Sequence, residues 1–153
     1  MSSIIEIQDL TKRYGNLLAL DHLNLQVEEG AVVGFIGPNG AGKTTTMRIL
    51  TTLLQPTSGQ AWVGGYEVTR EPDKVRQIIG YMPDFFGVYD EMMVWEYLDF
   101  FAACYGIAPQ VRQGMIGDLL DLVDLGHKRD SFVDELSRGM KQRLCLARTL
   151  THD

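Results

Sequence analysis

The sequence predicts an α/β fold: a strand-rich first part carrying one helix, followed by an all-helical part. Three observations predict it. Leu23, Leu25 and Val27 alternate with Asn24 and Gln26, the period of a half-buried strand. A glycine-rich loop, Gly37-Pro38-Asn39-Gly40-Ala41-Gly42, stands between an apolar run and a helix-like segment. Beyond Pro83 the apolar residues recur at helical spacing.

The elements follow in order. Ile4 to Leu10 reads as a strand, then Leu23 to Val27, with a turn at Glu29-Gly30. Ala31 to Ile36 (AVVGFI) is almost wholly apolar, as a strand buried on both faces would be. Thr44 to Leu54 is helix-like, with Met47, Leu50 and Leu54 on one face, and stops before Pro56. Thr57-Ser58-Gly59 reads as a turn, Gln60 to Val63 as a strand, Gly64-Gly65 as a hairpin, and Ile78 to Met82 as an apolar strand ended by Pro83. Val94, Leu98, Phe101, Ala102 and Tyr105 mark a helix stopped by Gly106. Ile116, Leu119, Leu120 and Val123 mark a second, and Met140, Leu144 and Ala147 a third that Ser137 can cap. The expected organisation is a core over residues 1–83, a helical region over 84–136, and a last helix over 137–153.

A chain of 153 residues is one domain in size, and 45% hydrophobic with 22% charged residues argues against disorder. Acidic residues outnumber basic ones 20 to 14, a net charge of −6, opposite in sign to a general nucleic-acid binder. An anion bound here must meet locally arranged groups. Cys104 and Cys145 lie in apolar helix-like stretches and read as reduced, buried thiols. Met1 to Glu6 shows neither a basic segment nor a long apolar run, which predicts no signal peptide. No apolar run approaches the roughly 18 residues of a membrane span.

Gly37 to Thr44 fits G-x-x-x-x-G-K-[ST], placed after an apolar run and opening a helix. A chance match in a chain this long has a frequency on the order of one per cent. Glycines let successive N–H groups turn inward on phosphate oxygens, and the helix start adds the positive end of its dipole. Lys43 can reach the β- and γ-phosphates, and the Thr44 hydroxyl can hold Mg²⁺. A guanine motif N-K-x-D is absent, so Asp84-Phe85-Phe86-Gly87, which fits D-x-x-G, is read as coincidence.

The discriminating segment is Leu136-Ser137-Arg138-Gly139-Met140-Lys141-Gln142-Arg143-Leu144. With Ser137 as cap, the first N–H groups of the helix form a second anion site, and Gly139 permits close approach. With the phosphate loop, this segment resembles the L-S-G-G-Q signature of ATP-binding cassette (ABC) proteins. The resemblance covers essentially the whole chain and is nearest to cassettes of multidrug-type (ABC-2) exporters. Tyr14, after Thr11-Lys12-Arg13, resembles the aromatic residue on which adenine stacks. Ile79 to Asp84 resembles the approach to the Q-loop, with aspartate where the family has glutamine. Arg138 and Met140 also depart from the idealised signature.

The resemblance implies a P-loop NTPase core, a partial parallel sheet plus an antiparallel β part, with a helical subdomain. It implies ATP and Mg²⁺ as cofactors. The nucleotide set is Tyr14, Gly37, Pro38, Asn39, Gly40, Ala41, Gly42, Lys43, Thr44 and Thr45, with Ser137 and Gly139 acting in trans; Thr44 and Asp84 are the metal candidates. The partners implied are a second cassette, head to tail, and a transmembrane permease, at the cytoplasmic face of the membrane, with no nucleic acid. Phe85, Phe86 and Tyr89 are expected to contact that permease, and Phe101 and Tyr105 to be core. The family's Walker B aspartate, catalytic glutamate and switch histidine have no counterpart before Thr151-His152-Asp153. Residues 1–153 are therefore expected to be an incomplete cassette, inactive and poorly folded alone, whose runs at 31–36 and 78–82 stand unpaired. A soluble ABC ATPase serving repair or translation, or a fragment that binds nucleotide without turnover, remains open.

Overall fold

The computed structural model describes residues 3–83 and 91–151. They form two compact units, Met1–Ile79 and Gly80–Asp153. In the first, β1 (Ser3–Tyr14), β2 (Leu17–Glu28), β3 (Ser58–Val63) and β4 (Tyr66–Glu67) make a sheet of order β2-β1-β3-β4, antiparallel throughout. Two helices accompany it, α1 (Lys43–Leu50) and α2 (Pro72–Gln77). Ile7, Leu10 and Leu20 of the long hairpin, Ala61 and Val63 of β3, and Ile49 and Leu50 of α1 form the core. The hairpin is longer than the alternation predicts because Gly15-Asn16 turns it, with Gly15 at φ 54. At Gly64-Gly65 the φ values of 57 and 80 are those of the expected tight turn, closing Val63 on Tyr66. Gly59 belongs to β3 rather than to a turn: at φ 81 it stands opposite a bulge at Asp9, where an added Cβ would lie 2.3 Å from the Asp9 carbonyl oxygen.

Two apolar runs depart from their expected form. Ala31 to Ile36 and Ile78 to Met82 make no ladder, and Val32 (101%), Ile36 (94%) and Ile78 (49%) are exposed. A strand needs a neighbour to take its N–H and C=O groups, and a buried strand needs cover on its faces. Among the described residues no strand pairs with either run. The parallel part of the expected sheet is correspondingly absent from the described residues, and the antiparallel part is the sheet β2-β1-β3-β4. The first helix also stops earlier than its period suggests. Thr52 at φ 64 breaks the chain from the helix, so the buried stripe is Thr46, Ile49 and Leu50, and Met47 is exposed.

The second unit holds α3 (Val94–Cys104), α4 (Pro109–Leu122) and α5 (Arg138–Thr149), with short 3-10 turns at Gly126–Lys128 and Val133–Glu135. Val94, Tyr97 and Leu98 of α3, Ile116, Leu119 and Leu120 of α4, and Leu144 and Ala147 of α5 make one core, joined by Val123, Leu125, Val133 and Leu136. This is the stripe the helical period marks out. The Glu96 carboxylate accepts from the Met93 N–H at 2.9 Å and starts α3, and Gly106 at φ 75 follows its end. Phe101 packs against this core, but Tyr105 is half exposed: it lies one residue beyond the end of α3. The thiols also differ from the reading that buried both. Cys104 is exposed at the end of α3, whereas Cys145 is buried, and burial pushes its pKa up despite Arg148 nearby. Leu98→Ala, at a fully buried site, is expected to lower unfolding stability by about 2–5 kcal/mol. Urea denaturation would check it, a shift under about 0.5 kcal/mol counting against this core.

Candidate nucleotide-binding site

Gly37 to Gly42 forms a loop that turns twice through left-handed backbone, at Gly40 (φ 83) and Gly42 (φ 85). The Ala41 N–H donates to the Pro38 C=O at 3.2 Å, which closes the loop on itself. At Gly40 an added Cβ would meet nothing, but at Gly42 it would lie 2.5 Å from the Leu20 side chain and 2.6 Å from the Ala19 carbonyl oxygen. Gly42 is thus required twice, for its backbone angle and for close approach to β2. It caps α1, whose first backbone bond runs from the Thr46 N–H to the Gly42 C=O at 2.8 Å. The N–H groups of Lys43, Thr44 and Thr45 precede that bond and have no intrahelical acceptor. No acidic residue lies in this first turn.

Lys43 folds back over the loop. Its Nζ donates to the Gly37 C=O at 2.6 Å and to the Pro38 C=O at 2.7 Å. An ammonium has three donors, so two are held by the loop's own carbonyls and the group stands over the cradle. Thr44 is exposed and Thr45 half buried, while Thr46 is buried with its hydroxyl bonded to the Gly42 C=O at 3.0 Å. Uncapped N–H groups, a lysine poised over them, an exposed hydroxyl and glycines that leave room form a donor set suited to a polyphosphate and its cation.

Tyr14 ends β1, paired with Leu17 across the tight turn, and the residue is 45% exposed. Lys12 of the same strand pairs with Leu20, the residue on which Gly42 closes. The strand end that carries Tyr14 and the loop that precedes α1 therefore share a contact. Sequence reasoning took Lys12 only as a flank of Tyr14. The lysine two residues before the aromatic in a strand was the available signal.

In the second unit Ser137 caps α5 as its sequence position suggests, the hydroxyl accepting from the Met140 N–H at 3.3 Å. The Ser137 C=O accepts from the Lys141 N–H at 2.9 Å, so the N–H groups of Arg138 and Gly139 open the helix without intrahelical partners. Ser137, Arg138 and Gly139 are all exposed, and an added Cβ at Gly139 would meet nothing within 4 Å. Asp84, the metal candidate, and Phe85, Phe86 and Tyr89, the candidate partner contacts, lie outside the described residues. Among the described residues no group of three or more His, Cys, Asp or Glu could hold a metal, and no helix is long and apolar enough to cross a membrane.

A family profile described as ABC transporter matches residues 20–153. The chain is 40% identical over 151 residues to the probable multidrug ABC transporter ATP-binding protein YbhF of Escherichia coli (strain K12), covering 99% of this chain and 26% of that protein. It is 41% identical over 152 residues to the bacitracin transport ATP-binding protein BcrA of Bacillus licheniformis, covering 99% of this chain and 49% of that protein. The chain thus spans half or less of the length of these curated relatives. A solved ATP-binding subunit of an ABC transporter superposes with a TM-score of 0.82 at 30% identity, over 95% of this chain and 60% of that one. CbiO1 of Clostridium perfringens, part of the ABC transporter complex cbiONQ, superposes with a TM-score of 0.85 at 24% identity, over 99% of this chain and 62% of that one, and so shares the fold.

Proposed function

This chain belongs to the ABC transporter family, with the P-loop NTPase fold of ABC ATP-binding subunits, and from that premise we propose that it binds Mg-ATP for an exporter. The observation that carries the reading is the loop before α1: Lys43 Nζ poised on the Gly37 and Pro38 carbonyls above the uncapped N–H groups of Lys43, Thr44 and Thr45. In this reading Gly37 to Gly42 wraps the triphosphate with backbone donors. Lys43 exchanges its two carbonyl partners for β- and γ-phosphate oxygens. Thr44 would hold Mg²⁺, which would supply charge neutralisation on those oxygens, and Asp84, the other metal candidate, lies outside the described residues. Tyr14 lies under the adenine.

Ser137 and Gly139 serve a nucleotide held by a second cassette, since α5 offers its own uncapped N–H groups to solvent. Closure of two such cassettes on two nucleotides then drives a transmembrane partner at the cytoplasmic face of the membrane. The exporter assignment draws on YbhF and BcrA, whose names describe multidrug and bacitracin transport. The test is calorimetry of Mg-ATP against magnesium tripolyphosphate. Tyr14→Ala is expected to weaken Mg-ATP binding by about 1–3 kcal/mol, the range of a base-stacking contact, and to leave tripolyphosphate binding unchanged. Equal Mg-ATP affinity with and without the ring would leave Tyr14 as scaffold.

A further inference from the structure

We propose that Lys12 is a positioning residue for the Tyr14 ring: it holds one face of the ring and leaves the other to the purine base. The inference rests on the nucleotide reading above. Lys12 and Tyr14 are two apart in β1, and although the register with β2 shifts between Lys12 and Arg13, the two side chains meet. Lys12 Nζ stands 5.2 Å from the centroid of the Tyr14 ring, within the range of a cation–π contact. The same Nζ donates to the Gln55 C=O at 2.6 Å. A lysine ammonium on its flexible stem is ordinarily mobile, but here a backbone carbonyl fixes it at the ring.

The backbone under the ring is fixed as well. The Arg13 N–H donates to Thr57 Oγ1 at 2.9 Å, and the Thr57 N–H donates to the Thr11 C=O at 2.8 Å. On its other side the strand pairs with β2 through Lys12 to Leu20 and Tyr14 to Leu17. What the backbone leaves free is the rotation of the ring itself. Tyr14 is 45% exposed, and the Lys12 ammonium is the cation over its ring. The ammonium therefore selects one ring orientation before a base arrives, and a ring already oriented loses less freedom on binding. A base can stack only on the face that Lys12 does not occupy.

Calorimetry on the protein at its natural length tests this. Lys12→Met keeps the aliphatic stem and removes the charge and the bond to Gln55. It is expected to weaken Mg-ATP binding about two- to fivefold, the equivalent of one exposed cation–π contact, with magnesium tripolyphosphate unaffected. Lys12→Arg, which also lies over aromatic faces, is expected to restore the affinity. In a Tyr14→Ala background Lys12→Met should add nothing. Should Lys12→Met lower the melting temperature into the measuring range, Lys12→Gln takes its place. Equal loss for tripolyphosphate, or the same loss with Tyr14 absent, would mean that Lys12 acts on the phosphates or the fold, and would overturn the inference. Loss of binding in Lys43→Ala with no effect of Tyr14→Ala would overturn it while leaving the nucleotide site standing. Absence of Mg-ATP binding by the unsubstituted protein would overturn the nucleotide reading first.

Discussion

Lys43→Ala is expected to raise the Kd for Mg-ATP at least about thirtyfold, the lower end of the roughly 2–5 kcal/mol lost when one partner of a buried charge pair is removed. Lys43 Nζ already stands at the loop, held by the Gly37 and Pro38 carbonyls at 2.6 and 2.7 Å, so the nucleotide need not recruit it from solvent. Exchanging two neutral acceptors for anionic phosphate oxygens adds attraction between opposite charges to bonds that the ammonium already makes. The loss should appear equally with magnesium tripolyphosphate, which separates it from the base-dependent loss at Tyr14. Alanine favours α1, so the helix should persist, and a far-ultraviolet circular dichroism melt would confirm that the fold survives. Calorimetry giving the same Mg-ATP affinity for Lys43→Ala and the unsubstituted protein would remove Lys43 from the site.

The parts of the fold visible in the sequence are those in which local chemistry and tertiary environment agree. The helical core is an instance: Leu98, Ile116, Leu120 and Leu144 all fall on the stripe that their spacing marks, because a helix supplies its own backbone partners and needs only a face to bury. Gly64-Gly65 and Gly106 were equally readable, since positive φ at these points is a demand that glycine meets. Ala31 to Ile36 shows the opposite case. Composition reports that such a run suits burial in a sheet, but only a neighbouring strand makes it one, and Val32 is fully exposed without it. Asp9 and His22, both at φ 48 where the hairpin register is irregular, are residue types that visit positive φ more than most, but nothing in the local pattern marks these two positions for it. The Asn24 side chain binds the Asp9 N–H at 2.9 Å, a contact across 15 residues that no local pattern contains. In the candidate site the loop is marked in the sequence by the fixed spacing of Gly37, Gly42, Lys43 and Thr44, whereas the tie from Lys12 to the Gln55 carbonyl depends on a chain separation of 43 residues.

Ser137→Arg is expected to abolish ATP-dependent association of two chains while leaving nucleotide binding by one chain intact. The α5 terminus is exposed, its first N–H groups are uncapped, and nothing crowds Gly139, so an anion carried by another molecule can approach it. Arginine fills that space. It also removes the Ser137 cap on the Met140 N–H, and loss of a cap alone costs about 0.5–2 kcal/mol of stability. Ser137→Asp separates these two effects. Aspartate keeps the cap and favours the positive end of the helix, yet places a negative charge where a phosphate would arrive. Both variants should therefore fail to dimerise, and only Ser137→Arg should melt earlier. Size-exclusion chromatography of the natural-length protein with a non-hydrolysable ATP analogue and Mg²⁺ reads association, and calorimetry at a concentration where the chain is monomeric reads binding. A nucleotide-dependent dimer of Ser137→Asp would show that Ser137 serves α5 as a cap and does not meet the nucleotide of a second chain.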